Sequence, residues 1–333
     1  MKKRFLYSLI FPLGILLSIN ACTKKPESVE PSDNSFTNYF SNQRIKTQKF
    51  TFDASQSTVI TGKKGTKVMI GAGTLRTASG ARVTGNVTVE LKEVTKLSEM
   101  IVNNAPTISN GKILTSGGEF YVAASQNGAP LSLANNASFF ISVAAPRGTT
   151  DSMNVFTGRD SLGTVVWKPV QADTVNSNVT IPADSTRNRW DTSAYYQNLD
   201  WAIINNVNQY VIKCTKFGWI NCDYFASYPD VCRLTIRCDT IYKTTYTKVY
   251  YTIPATNSVG NFYINSTNLD FFCNSIPNNM SLNIAALNYH DGKYYIALKH
   301  HVMHCGSNLN IEDLDFVEIE ESQIESYLSQ IDI

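Results

Sequence analysis

Charge is scarce in this chain. Of its 333 residues only 17% are charged, and 29 basic side chains stand against 27 acidic ones. So even a balance offers no basic stripe to neutralise phosphates, and nucleic acid is not an expected partner. Histidine is rarer still: there are four, all between His290 and His304. The short catalytic signatures are also missing. There is no G-x-S-x-G elbow, H-E-x-x-H pair, Walker loop or dinucleotide fingerprint. These absences remove the enzymes recognisable by a local motif, and no cofactor is expected. A site assembled in space from distant residues stays open. Long apolar runs are lacking too. The run from Phe5 to Leu17, interrupted by Pro12 and Gly14, is shorter than the ~20 residues a membrane span needs.

That run reads instead as part of an export signal. Met1-Lys2-Lys3-Arg4 is a positive start, and the run ends at Ser18-Ile19-Asn20-Ala21-Cys22. Ile19, Ala21 and Cys22 resemble the lipobox of bacterial lipoproteins. The resemblance implies removal of residues 1–21, diacylglycerol on the Cys22 sulfur and a fatty acyl group on its new amino terminus. Three chains anchor firmly, because each buried methylene contributes about 0.8 kcal/mol. An ordinary cleaved signal is the alternative. Residues 1–21 hold three basic residues and no acidic one, which leaves 26 basic against 27 acidic in the mature chain. Thr23 is not the aspartate associated with inner-membrane retention, and Lys24-Lys25 is not an acidic surface-export signal. The expectation is a lipid anchor in the outer membrane; the face is left open between periplasm and surface, with the periplasmic side favoured. Residues 22–45 read as a flexible tether, with Pro26, Pro31 and polar neighbours that bury too little to repay ordering.

From about residue 47 the chain reads as strands. In Asn86-Val87-Thr88-Val89-Glu90-Leu91-Lys92 the apolar residues recur at every second position, the period of a half-buried strand. Phe120–Ala124 and Ser138–Val143 read similarly. Short strands between Gly, Asn and Ser turns point to an antiparallel sandwich over 46–182. A connector is expected over 183–205. Beyond it, Gln209–Cys214, Arg233–Arg237, Lys248–Ile253, Leu282–Leu287 and Tyr294–Leu298 are rich in aromatic and β-branched residues. They predict a second, Cys-rich β domain over 206–333, with a hairpin turn at Asp291-Gly292. Ile324, Tyr327, Leu328 and Ile331 have helical spacing, with capping-box spacing at Ser322 and Glu325. The fold class expected is mainly β: two antiparallel β-sandwich-like domains with a short C-terminal helix. Seven acidic residues between Glu312 and Glu325 crowd the start of that helix and read as a solvated face.

The run Thr58-Val59-Ile60, then Gly65–Leu75 with its Gly71-Ala72-Gly73 turn, then Gly117-Gly118-Glu119-Phe120, resembles the ZU5-type β-sandwich. It is also similar to Bacteroidota lipoproteins built on such a module, over about residues 48–225. The resemblance implies a fold and transfers no catalytic residue. Some ZU5-containing proteins cleave themselves at His-Phe-Ser in a neighbouring domain, and this chain has no such tripeptide.

Six cysteines remain once Cys22 is set apart, and an even count in an exported chain points to disulfides. A turn at Tyr228-Pro229-Asp230 would nest Cys214–Cys238 and Cys222–Cys232 and leave Cys273–Cys305. Buried free thiols are the alternative. His300 and His304 could chelate a metal on a helix, but the alternation around them says strand, where residues four apart lie about 13 Å apart. No metal is expected, although His304 with a folded-back His290 stays open. Glu90 and Glu93 read as ordinary surface residues of a strand. Asp-Ser/Thr followed by an aliphatic residue, methionine or threonine resembles the O-glycosylation acceptor of Bacteroidota exported proteins. It marks Ser152, Ser161, Thr174, Ser185 and Thr240, with plain turn chemistry as the alternative. Two function classes follow. One is a non-enzymatic envelope binding or structural module, with a membrane anchor at Cys22 and an envelope protein or glycan as partner. The other is an exported hydrolase or metal-dependent enzyme whose site is invisible in sequence. Tyrosines and tryptophans of the C-terminal part could stack on sugar or protein, although most are expected in the core.

Overall fold

The computed structural model describes residues 39, 46–144, 153–161, 163–170, 201–206, 209–244, 246–306 and 311–333, with 201–206 as backbone only. Four main sheets carry the described fold, and it is mainly β as expected. Sheet I runs Gln48–Asp53, Asn86–Val94, Lys112–Gln126, Gly218–Phe225, Asn154–Ser161, Thr164–Pro169. Sheet II runs Trp201–Asn206, Gln209–Cys214, Phe139–Ala144, Lys67–Ile70, Thr58–Thr61. Sheet III runs Tyr263–Ile264, Phe271–Pro277, Val231–Arg237, Ile311–Asp313, and sheet IV Ser258–Asn261, Lys248–Ile253, Ser281–His290, Lys293–Val302, Val317–Ile319. The pairing is antiparallel except between Val231–Arg237 and Ile311–Asp313.

Sheets I and II close over one core. Val87, Val89 and Leu91 enter it from sheet I with Phe120 and Val122, and Val68, Ile70, Phe139, Ile141 and Ile212 meet them from sheet II. Sheets III and IV close over another, built from Leu234, Ile236 and Phe271 against Val249, Tyr251, Ile253, Leu282 and Ile284. The period of two gives each inner sheet a second face, and both are used. Phe156, Trp167 and Trp219 of sheet I share a third core with Tyr250, Ala285, Leu287 and Ile296 of sheet IV. Two short helices fill this joint: α1 (Leu97–Val102) and α2 (Ile324–Leu328), through Leu97, Met100, Ile101, Ile324 and Leu328. Backbone groups cross it as well. Val259 N donates to Thr107 Oγ1 (2.8 Å), Thr107 N to Val259 O (2.9 Å), and Ser258 Oγ to Leu114 O (2.6 Å). Asp332 caps α1, accepting from Ser98 N at 2.9 Å and Ser98 Oγ at 2.7 Å.

The chain segments divide between the sandwiches differently from the expected boundary. Gln209–Cys214 and Gly218–Phe225 are strands of sheets II and I, so the first sandwich takes strands from both sides of 183–205, and Trp201–Asn206 is itself a strand of sheet II. Only at Val231 does the chain enter sheet III. Tyr39, inside the stretch read as tether, is buried to 2% in the shared core. The helix cap also differs. Gln323 Oε1 accepts from Glu320 N at 2.9 Å, two residues before the expected box, because the strand Val317–Ile319 runs straight into the turn Glu321–Gln323. Asp291-Gly292 is the expected hairpin turn, with φ of 50° and 79°.

Candidate functional site

A cleft of about 350 Å³ opens where the two sandwiches meet. Ligand pockets favour such joints because two rigid bodies can supply opposite walls. The first sandwich contributes Asn104 and Thr164. Asn104 follows α1 in a left-handed turn (φ 48°), a conformation asparagine tolerates better than most residues. Its Nδ2 donates to Gly163 O (3.0 Å) and Thr164 Oγ1 (2.8 Å), and its Oδ1 accepts from Tyr250 OH (3.1 Å) across the joint. The second sandwich contributes an aromatic wall of Tyr250, Phe262, Tyr263 and Phe271, with Asn261, Thr244, Thr247 and Lys248 around it. Asn261 Oδ1 is enclosed and accepts no hydrogen bond from the protein. Tyr263 is 58% exposed.

Tyr263 also begins a row across sheet III. It pairs with Phe272, Phe272 with Thr235, and Thr235 with Ile311. The Tyr263 and Phe272 rings lie 6.3 Å apart, and Arg233 sits over Phe272 at 4.4 Å. A short aromatic row with a cation therefore leads away from the cleft mouth. Sequence reasoning missed Asn104, Asn261 and Tyr263. Their only signals were Asn next to apolar runs and one tyrosine among many. Among the described tyrosines and tryptophans of the C-terminal part, Tyr210, Trp219, Tyr242, Tyr250 and Tyr251 are buried, Tyr246 and Tyr263 are exposed, and the others are half-buried, so fewer lie in the core than expected. A second, more open hollow lies against Leu131–Ala137 and Thr215–Phe217 at the end of the first sandwich.

The most perturbed carboxylates lie elsewhere. Gly117 and Gly118 stand opposite the single residue Cys222, a bulge that only glycine permits here. Gly118 has φ 125°, and a Cβ on Gly117 would lie 2.8 Å from Cys222 O. The extra residue turns Ser116, Glu119, Asn221 and Asp223 to one face. Glu119 and Asp223 are both fully buried, at 0% exposure. Burial first, then the Asp223 charge, pushes the Glu119 carboxyl well above the usual carboxylate range. The Trp167 indole N–H faces Glu119 and opposes this shift, but its geometry falls short of a hydrogen bond. Burial raises Asp223 likewise, against hydrogen bonds from Ser116, Asn221 and the Gly117 N–H. Glu93 behaves oppositely. It is 1% exposed rather than a surface residue, and burial there is outweighed by donors: Gln48 Nε2 at 2.7 Å, and the N–H groups of Lys64 and Thr66 at 3.1 Å. Its carboxyl lies below the usual range. Glu90 pairs with Lys49 at 3.2 Å.

Cysteine pairing differs from expectation. Among the described residues the disulfide is Cys232–Cys305, with Cα atoms 5.6 Å apart, and Cys222, Cys238 and Cys273 are thiols outside it. None of the expected pairs Cys214–Cys238, Cys222–Cys232 and Cys273–Cys305 forms. The Tyr228-Pro229-Asp230 turn does not fold one sheet back on itself. It carries the chain from sheet I to sheet III, which leaves Cys214 and Cys222 in the first core and Cys232 and Cys238 in the second sandwich. Burial raises the Cys238 thiol to about 11.

His300 and His301 lie on the strand Lys293–Val302, and this ten-residue strand, about 33 Å long, separates His290 from His304. Each histidine has a local partner: Asn288 for His290, Asn283 and Ser281 for His300, Glu312 for His301 at 2.7 Å, and Asn279 for His304. No group of three or more metal-ligating side chains converges among the described residues. Ser161 and Thr240 both sit at turns. Asp160 Oδ1 accepts from Gly163 N (2.9 Å), and exposed Thr240 opens the turn Thr240–Tyr242. Cys22, Ser152, Thr174 and Ser185 lie outside the described residues. No helix among the described residues is long and apolar enough to cross a membrane. No family model matches the chain, and no curated protein matches it.

Proposed function

We propose that this chain is a lipid-anchored cell-envelope protein, processed before Cys22, held at the outer membrane on its periplasmic face, and acting as a non-enzymatic binding module. We read the sandwich of sheets I and II as ZU5-type, on the run Thr58–Leu75 and the Gly117-Gly118-Glu119-Phe120 bulge. The observation that carries the binding reading is the cleft at the joint, open to solvent and lined by the exposed ring of Tyr263 among amides and hydroxyls from both sandwiches. Glu119 and Asp223, the carboxyls that burial raises well above the usual range, are sealed beneath sheet I and reach no substrate. The test is affinity capture of the tagged full chain from envelope extract, beside a Tyr263→Ala chain. A component retained by the first and lost from the second supports the reading; equal retention by both, or none by either, rejects it. The anchor is tested separately: radiolabelled palmitate should enter the wild-type chain and not Cys22→Ser.

A further inference from the structure

We propose that two copies of this chain join edge to edge through the strand Gln48–Asp53, antiparallel and centred on Thr51, so that sheet I runs on from one copy into the other. This edge is separate from the joint cleft, and the pairing does not depend on what the cleft binds. Gln48–Asp53 is the end strand of sheet I, and among the described residues it pairs on one side only, with Asn86–Val94. The ladder shows which backbone groups are left over. Antiparallel partners alternate between pairs that exchange hydrogen bonds and pairs that do not. Ala54 N donates to Gly85 O at 2.9 Å, one step beyond the pair Asp53–Asn86. The bonded pairs behind it are then Phe52–Val87, Phe50–Val89 and Gln48–Leu91. The N–H and C=O groups of Lys49, Thr51 and Asp53 therefore point out of the sheet edge. Their side chains are also the exposed ones, while Gln48, Phe50 and Phe52 are half-buried.

The strand is complementary to itself. Turned about Thr51, a second copy sets Thr51 against Thr51, Lys49 against Asp53 and Phe50 against Phe52. All three outward residues then exchange hydrogen bonds, and the two-fold axis doubles the Lys–Asp and Phe–Phe pairs. Opposite charges and aromatic rings directly across a strand pair contribute about 0.2–1 kcal/mol each. Hydrogen bonds from Ser55 N (2.9 Å) and Ser55 Oγ (2.8 Å) hold the Asp53 carboxyl below its usual range, so it meets the lysine ionised. Lys49 lies 3.2 Å from Glu90 of its own sheet and would stand between two carboxylates. A register shifted by two residues sets Lys49 against Thr51 and loses both ion pairs. Other edges fit less well. Ile311–Asp313 and Val317–Ile319 have three residues and Tyr263–Ile264 two, and Thr58–Thr61 has no charge to fix a register. Thr164–Pro169 closes on a proline, which has no N–H to give a partner strand.

The experiment is disulfide trapping in intact cells that make the full chain. In the proposed register the two Thr51 Cα atoms lie about 5.5 Å apart, the spacing of a bonded antiparallel pair and within disulfide reach. Thr51→Cys should give a crosslinked dimer on mild oxidation. Val317→Cys, exposed on an edge of the second sandwich, should not. Adding Lys49→Asp to Thr51→Cys should cut the crosslinked fraction severalfold, because two attractive pairs become repulsive. Reversing both charges, Lys49→Asp with Asp53→Lys, should restore it, which a variant damaged in folding would not do. No dimer from Thr51→Cys above the level of Val317→Cys overturns the proposal. A Thr51→Cys dimer indifferent to the charge changes overturns it too, because the register that pairs Lys49 with Asp53 is then wrong. Crosslinking of Thr51→Cys to a different protein, and not to itself, gives the edge to another partner and rejects the second copy.

Discussion

Two glutamates show how the same side chain is driven in opposite directions by the donors around it. Glu93 meets the turn between sheet II strands, whose N–H groups converge on its carboxylate, so ionisation is favoured. Its folded pKa is depressed. The stability it contributes is therefore present above the unfolded value near 4.3 and is lost as pH falls through the folded value. Glu93→Gln should lower stability at pH 7 by about 1–3 kcal/mol, the worth of charged hydrogen bonds. It should also flatten the acid limb of a denaturant-midpoint profile between about pH 5 and 3. Glu119 is sealed from water and faces Asp223 without such donors, so its folded pKa is raised. A raised carboxyl costs no stability below about pH 4, and its unfavourable contribution grows as pH rises from there towards the folded value. Glu119→Gln should then raise the denaturation midpoint at pH 8, by of order 1–3 kcal/mol, and leave it little changed at pH 4. A loss of stability at pH 8 would show that Glu119 is ionised and paired.

At the scale of elements, the joint depends on short pieces. α2 has five residues and would not persist alone, since isolated helices below about 12–15 residues are marginal. It persists because Ile324, Leu328 and Ile331 enter the shared core. Leu328→Ala should cost about 2–5 kcal/mol by chemical denaturation, as for other buried leucines. The effect should fall on both sandwiches together, read as earlier proteolysis in each. The spacing of those residues was legible in sequence because a helix repeats every 3.6 residues. The strand Asn86–Val94 and the Asp291-Gly292 turn were legible for similarly local reasons. The Gly117-Gly118 bulge was not. Two glycines announce a permissive backbone, but what opposes them is set by the partner strand. The cleft was illegible for the same reason: Asn104 and Asn261 lie far apart in the chain and meet only at the joint.

In the molecule as a whole, two sandwiches share a core through sheets I and IV, and this makes independent motion costly. Interfaces within a chain allow hinge motion unless they are large and apolar. Here Trp167 and Trp219 pack with the Tyr250, Leu287 and Ile296 side chains of the other sandwich. Thermal unfolding should be one transition, with tryptophan fluorescence and far-ultraviolet circular dichroism coincident; two separated transitions would mean the joint is weaker than its packing implies. The strand character and the terminal helix were both available from the sequence. Each rests on neighbours a few positions apart, where periodicity and charge order are already physical constraints. Which cysteines bond, which carboxylates are sealed and where the sandwiches meet were decided by tertiary structure alone. The turn at Tyr228-Pro229-Asp230 marks the difference. Its residues announce that the chain bends, and only the two competing cores determine that it leaves one sheet for another, carrying Cys232 away from Cys222 and towards Cys305.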